Sequence, residues 1–283
     1  MLSKLLKYEM MSTGRIFVVC YIGVLVTALL FRLLGALAWD YGNELDTVQG
    51  FLAIPNIVAG LSMMMYVVMV VAVIVVTIIF ILQRFYKNLL TGEGYLMHTL
   101  PVTAAQHIWS KLIAAVIWTI LSSIVVVLSV CVLSMTGELL AAFIEEWREF
   151  LAVFRIYFGV PFSLIALECV VVLVVSIAVS ILEVYLAIML GHQAAKHKIA
   201  MAVVAYVGIS VVLNIIFSIG LNLLFVSAYG LHLMDWLGRI AENMTPMQWL
   251  QVMLLGSLVL NLIMGIVFYV ITERLMRRNL NLE

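Results

Sequence analysis

Arg32, Glu168 and Glu183 are ionisable side chains well inside long apolar runs of this sequence. Such groups are costly in hydrocarbon and face protein or water, so each is a candidate for an ion pair, a relay or a pathway. At the 1.5 Å rise of a helix, Arg32 lies about 25 Å beyond Arg15, and Glu168 about 10 Å inside its own run. Their similar depth suggests an Arg32–Glu168 pair; alone, Arg32 would snorkel to headgroups. Glu183 is placed to meet His192, Lys196 or a cytoplasmic loop. Asn214, Asn222 and Asn261 carry amides of the kind that join helices, and Ser176 and Ser180 form a small-residue strip for close packing. Glu183, Asn214 and Asn261 are the candidates for a polar pathway or for packing.

Enzymatic chemistry finds little footing. His98, His107, His192, His197 and His232 fall in loops or at the ends of apolar runs, and no His-Glu-x-x-His occurs. No nucleophile with a base, and no cofactor or metal set, is apparent. Cys20, Cys131 and Cys169 lie in apolar runs and read as small core hydrophobes rather than as a disulfide framework. The 15 basic and 15 acidic residues cancel, which leaves no electrostatic footprint for nucleic acid.

The elements that must position these groups are membrane spans. Of 283 residues, 66% are hydrophobic and 11% charged, and the mean hydropathy is +1.22. Too few polar side chains exist to coat so much apolar surface in water. Six runs reach the ~20 residues a crossing helix needs: 16–38, 57–82, 108–134, 161–190, 199–226 and 249–271. They lack the alternation of a transmembrane β-barrel. The fold class is therefore an all-α membrane protein in one transmembrane domain, residues 1–283.

Charge sets the expected orientation. With the N-terminus in the cytoplasm, Lys4, Lys7, Arg15, Arg84, Lys87, Lys111, Lys196, Lys198, Arg274, Arg277 and Arg278 lie inside. Arg32, Arg148, Arg155 and Arg239 alone lie outside. Basic residues concentrate on the cytoplasmic side, so both termini face inward. Reading the N-terminus as a signal peptide cleaved after Ala36-Leu37-Ala38 would leave five spans and put this pattern out of phase.

Outside the spans, Leu2, Leu5, Leu6, Tyr8 or Glu9, and Met10 recur at helical spacing opposite Lys4 and Lys7. The spacing predicts a short amphipathic helix over 1–13 on the inner leaflet, its lysines against anionic headgroups. Leu140, Phe143, Ile144, Trp147, Leu151 and Phe154 predict an outer amphipathic helix over 138–158. Residues 230–243 form a second candidate. Thr245-Pro246 supplies an N-cap and first-turn proline for the last span.

The segment from Gln83 to His107, between the second and third spans, carries the strongest motif. Arg84 and Lys87 anchor the end of span 2, and Gly92-Glu93-Gly94 turns the chain. Tyr95, Leu96, Met97 and Leu100 give a short helix an apolar face that Pro101 ends. Thr103-Ala-Ala-Gln106 then has capping-box spacing for the next helix.

This arrangement resembles the permease subunits of type-2 ATP-binding-cassette (ABC) transporters. Those chains have six spans, both termini inside, and a loop in which Glu-Gly, leucines, Leu-Pro-Val/Ile-Ser/Thr and a lysine follow in order. Glu93-Gly94, Leu96, Leu100-Pro101-Val102-Thr103 and Lys111 match that order. The resemblance implies that Glu93, Gly94, Tyr95, Leu96, Met97, Leu100 and Pro101 form a coupling helix that docks on a separate ATPase subunit. It further implies a second permease copy or paralogue and a location in the cytoplasmic membrane, of bacterial type. The chain has no Gly-x-x-x-x-Gly-Lys-Ser/Thr, so ATP would be held by the partner. The expected function is ATP-driven transport, chiefly export of an amphipathic or lipophilic peptide, lipid or drug. An ion-coupled carrier or channel is the alternative, although all four prolines sit at span ends. A non-transporting scaffold or sensor is the third.

Overall fold

A chain whose apolar residues run unbroken for more than 20 positions must satisfy every backbone polar group within its own segment, and a helix does so. The computed structural model describes residues 2–44, 53–90, 103–134, 137–194, 196–230 and 244–278. Among these there are seven helices and no strand. They are α1 (Leu2–Glu44), α2 (Ala53–Leu90), α3 (Ala104–Ser134), α4 (Gly137–Phe158), α5 (Phe162–His192), α6 (Lys198–Gly230) and α7 (Pro246–Arg278). All but α4 are long and apolar enough to cross a bilayer. The protein is a multi-pass membrane protein.

The helices overrun the spans expected from hydropathy, because helical backbone continues past the apolar core into charged turns. The largest difference is at the N-terminus. Residues from Leu2 onward belong to the same helix as the first span, so the short amphipathic helix expected over 1–13 is no separate element. Its periodicity is nevertheless real: Lys4, Lys7 and Tyr8 are exposed, whereas Glu9 is buried. Likewise α2 takes in Gln83–Leu90, which no glycine or proline interrupts before Gly92. The expected helix over 138–158 is present as α4. The candidate at 230–243, beyond Gly230 itself, falls outside the described residues until Met244.

Helix ends follow local chemistry. At α7 the Thr245 N–H donates to Gln248 Oε1 (2.9 Å) and the Gln248 N–H to Thr245 Oγ1 (3.4 Å). This is a reciprocal cap ahead of Pro246. Gly159, at φ 72°, closes α4 by donating to the Arg155 carbonyl.

The residues gather in two compact units. The first comprises Met1–Arg84 and Gln106–Ile144 and holds α1, most of α2 and α3, and the start of α4. Its core includes Val24, Ala28, Tyr66 and Val73, with Cys20 and Val126 packed against them. The second comprises Phe85–Ala105 and Glu145–Glu283. In it α5 packs on both α6 and α7. Gly191 permits the turn between α5 and α6: a Cβ there would lie 2.3 Å from the Ala202 nitrogen. Phe154 of α4, Ile165 of α5 and Met247 of α7 form a further cluster.

Candidate functional site

The most heavily built polar site lies in the first unit and centres on Glu9. Helical spacing turns Glu9 inward with Leu5, Thr13 and Phe17, so its carboxylate is carried among α2 and α3 rather than to solvent. Lys111 Nζ donates to Glu9 Oε1 at 2.8 Å. Arg84 Nη1 lies 3.5 Å from Glu9 Oε2, and Arg84 Nη2 also donates to Ser12 Oγ. Glu9 is 8% exposed and Lys111 3%. One carboxylate thus serves two cations in a buried setting, where charges persist only when paired and hydrogen-bonded.

Aromatic rings back the cluster on one side. The Arg84 guanidinium lies 5.8 Å from the Phe80 ring centroid. Phe80 meets Phe17 edge-on at 5.4 Å, and Phe17 stacks on Trp118 of α3 at 4.3 Å. Beyond them, hydroxyls join the helices. Tyr21 and Thr77 share hydrogen bonds with Ser122 at 2.8 and 2.9 Å. Tyr66 and Ser129 share one at 2.9 Å.

The residues singled out from sequence fall as follows. Glu93, Gly94, Tyr95, Leu96, Met97, Leu100 and Pro101 lie outside the described residues. Arg32 belongs to the first unit and donates from Nη1 to the Val132 carbonyl at 2.9 Å. Glu168 belongs to the second, where its enclosed Oε2 has no hydrogen-bond partner among the described residues. Their pairing stays an expectation for a double-substitution cycle. Glu183 does not stand alone: Ser210 of α6 donates to its Oε1 at 2.9 Å.

The bonds the three amides make lie within their own helices. Asn214, Asn222 and Asn261 donate to the carbonyls of Ser210, Ser218 and Ser257, each four residues back in its own helix. The i−4 carbonyl is the nearest acceptor to a short side chain on a helix. Ser180 does the same with Ser176. Hydroxyls do join helices: those of Tyr21, Tyr66, Thr77, Ser122 and Ser129 in the first unit and that of Ser210 in the second. Cys20 packs in the first core, but Cys169 is exposed on α5 rather than a core residue.

In the second unit an open cleft of about 500 Å³ is lined by Trp147, Leu151, Ala152, Arg155, Pro161, Phe162 and Ser163. Trp147 meets Phe162 edge-on at 5.4 Å. Where α2 ends, Phe85 stacks on Tyr185 at 4.0 Å and Tyr86 meets His192 edge-on at 6.2 Å. Among the described residues no group of His, Cys, Asp and Glu is arranged to hold a metal ion.

Sequence reasoning missed the Glu9 cluster. Its signal was present: Lys111 sits at the start of an apolar run and needs a counter-charge, and Glu9 is the one acidic residue before Arg32. Comparison with protein-family models, with curated proteins and with solved structures finds no match for this chain.

Proposed function

We propose that this chain is the membrane-spanning permease subunit of an ABC transporter, with both termini in the cytoplasm and ATP hydrolysed by a separate subunit. The observation that carries the reading is the ordered motif Glu93-Gly94, Leu96, Leu100-Pro101-Val102-Thr103 between the second and third of six apolar helices, completed by Lys111 within the third. Two further features support it. The segment is flanked by long helices able to carry a push, α2 to Leu90 and α3 from Ala104. The lysine that closes the motif is buried against a carboxylate rather than left in solvent.

In this reading two permeases enclose the pathway. ATP binding draws two ATPase subunits together, and the loop passes their motion to the helices. The apolar walls favour an amphipathic or lipophilic cargo, exported. Reconstitution tests this. Liposomes holding the chain with its ATPase should move a fluorescent amphipathic probe when ATP is added and stay inert under an ion gradient alone. Movement by the chain without ATPase, driven by the gradient, would support a carrier instead.

A further inference from the structure

We propose that Glu9 is a positioning residue for the loop: its carboxylate holds the two helix segments flanking residues 91–102 to α1, so that force on the loop reaches α1 through an ion pair. The inference rests on the reading that a partner pushes on this loop. Arg84 is the last residue of α2 in the first unit, and Lys111 lies two turns into α3. Glu9 gives one oxygen to each, so a single side chain of α1 ties down both approaches to the loop. Ser12, nearly one turn on from Glu9, adds a second tie to Arg84.

A buried ion pair is a poor choice for stability alone, since well-packed apolar side chains of similar volume often hold as well or better. What it supplies is direction. Glu9 and Lys111 are too enclosed to swing to new partners, and the Phe80–Phe17–Trp118 rings stand beside them. Displacement of α2 or α3 at this level therefore drags α1 instead of being absorbed by rotamer changes. The nearby cations Lys4 and Lys7 point outward and leave the clamp undisturbed.

Hydrogen exchange of the full chain in nanodiscs tests the clamp, comparing wild type, Glu9→Gln and the double variant Glu9→Gln/Lys111→Met. The double variant no longer buries the lysine charge uncompensated and should melt nearer to wild type than Glu9→Gln does. It is expected to exchange at least about tenfold faster in both 78–84 and 106–113, the equivalent of one charge-assisted hydrogen bond lost. With the ATPase bound, ATP and vanadate should change exchange in residues 3–12 of the wild type but not of the double variant. Wild-type exchange in both segments, or a preserved nucleotide response, would overturn the proposal. If the double variant fails to fold, Glu9→Asp, which keeps the charge but shortens the reach, decides by the same two readouts. Absence of any copurifying ATPase would sink the reading of the loop, whereas exchange in 78–84 and 106–113 of the chain alone still decides the clamp.

Discussion

Lys111 Nζ stands 2.8 Å from Glu9 Oε1 across 102 positions of sequence, and Arg84 reaches the other oxygen of the same carboxylate. The arrangement is asymmetric: two cations depend on one anion. Removing the anion should therefore cost more than removing either cation. Glu9→Gln should lower stability by about 3–5 kcal/mol, the usual cost of leaving a buried charge uncompensated. Lys111→Met should cost less, because Glu9 keeps Arg84. Thermal unfolding in detergent of both variants and their combination measures this. Losses that simply add would show that the two side chains do not depend on each other.

Gly191 tests how tightly α5 and α6 approach. An alanine there must displace the backbone at Ala202. Gly191→Ala should destabilise by about 1–3 kcal/mol, the range for overpacking. Gly208→Ala, where an added Cβ meets nothing within 4 Å, should be neutral or slightly stabilising, and equal melting temperatures for the two would contradict the close approach.

Glu183 separates packing from transport. Gln at this position still offers an oxygen to the Ser210 hydroxyl, so Glu183→Gln should leave the unfolding free energy within about 1 kcal/mol of wild type, while Ser210→Ala should lose about as much as an interhelical hydrogen bond is worth in membranes, roughly 0.6 kcal/mol. A transport defect in a stable Glu183→Gln protein would mark the charge as part of a pathway.

The hydroxyl bonds of the first unit should prove individually weak and the rings beside them strong. Tyr66→Phe should cost no more than about 1.7 kcal/mol, the upper end for such bonds between membrane helices. Phe17→Ala, which removes the ring stacked on Trp118, should cost about 3–5 kcal/mol. Denaturation in mixed micelles ranks them, and a reversed order would contradict the packing described.

Hydropathy made the six long helices legible because each must satisfy its own backbone in hydrocarbon, and a period near 3.6 over Leu140–Phe154 made α4 legible. Thr245-Pro246 announced the start of α7 as N-cap and first-turn proline, and the return bond from Gln248 came only with the structure. The same local logic could not choose between Tyr8 and Glu9 as the inward residue of α1. Both fit the periodicity, and the choice is made by Lys111 and Arg84, far away in the chain. For the same reason the asparagines, plausible as joints between helices, each donate to a carbonyl four residues back in their own helix. Bonds between helices run instead through residues such as Ser122, Ser129 and Ser210, whose partners no local pattern announces. The Glu93–Pro101 residues remain a matter of motif.

The most direct test of the account is affinity purification of the full chain from its native membrane, with Glu93→Arg alongside. The account predicts that a polypeptide bearing Gly-x-x-x-x-Gly-Lys-Ser/Thr and hydrolysing ATP co-elutes with the wild type and is lost from the variant, which itself inserts normally. A wild-type chain that elutes with no such polypeptide, yet moves solute by itself in liposomes, would contradict it.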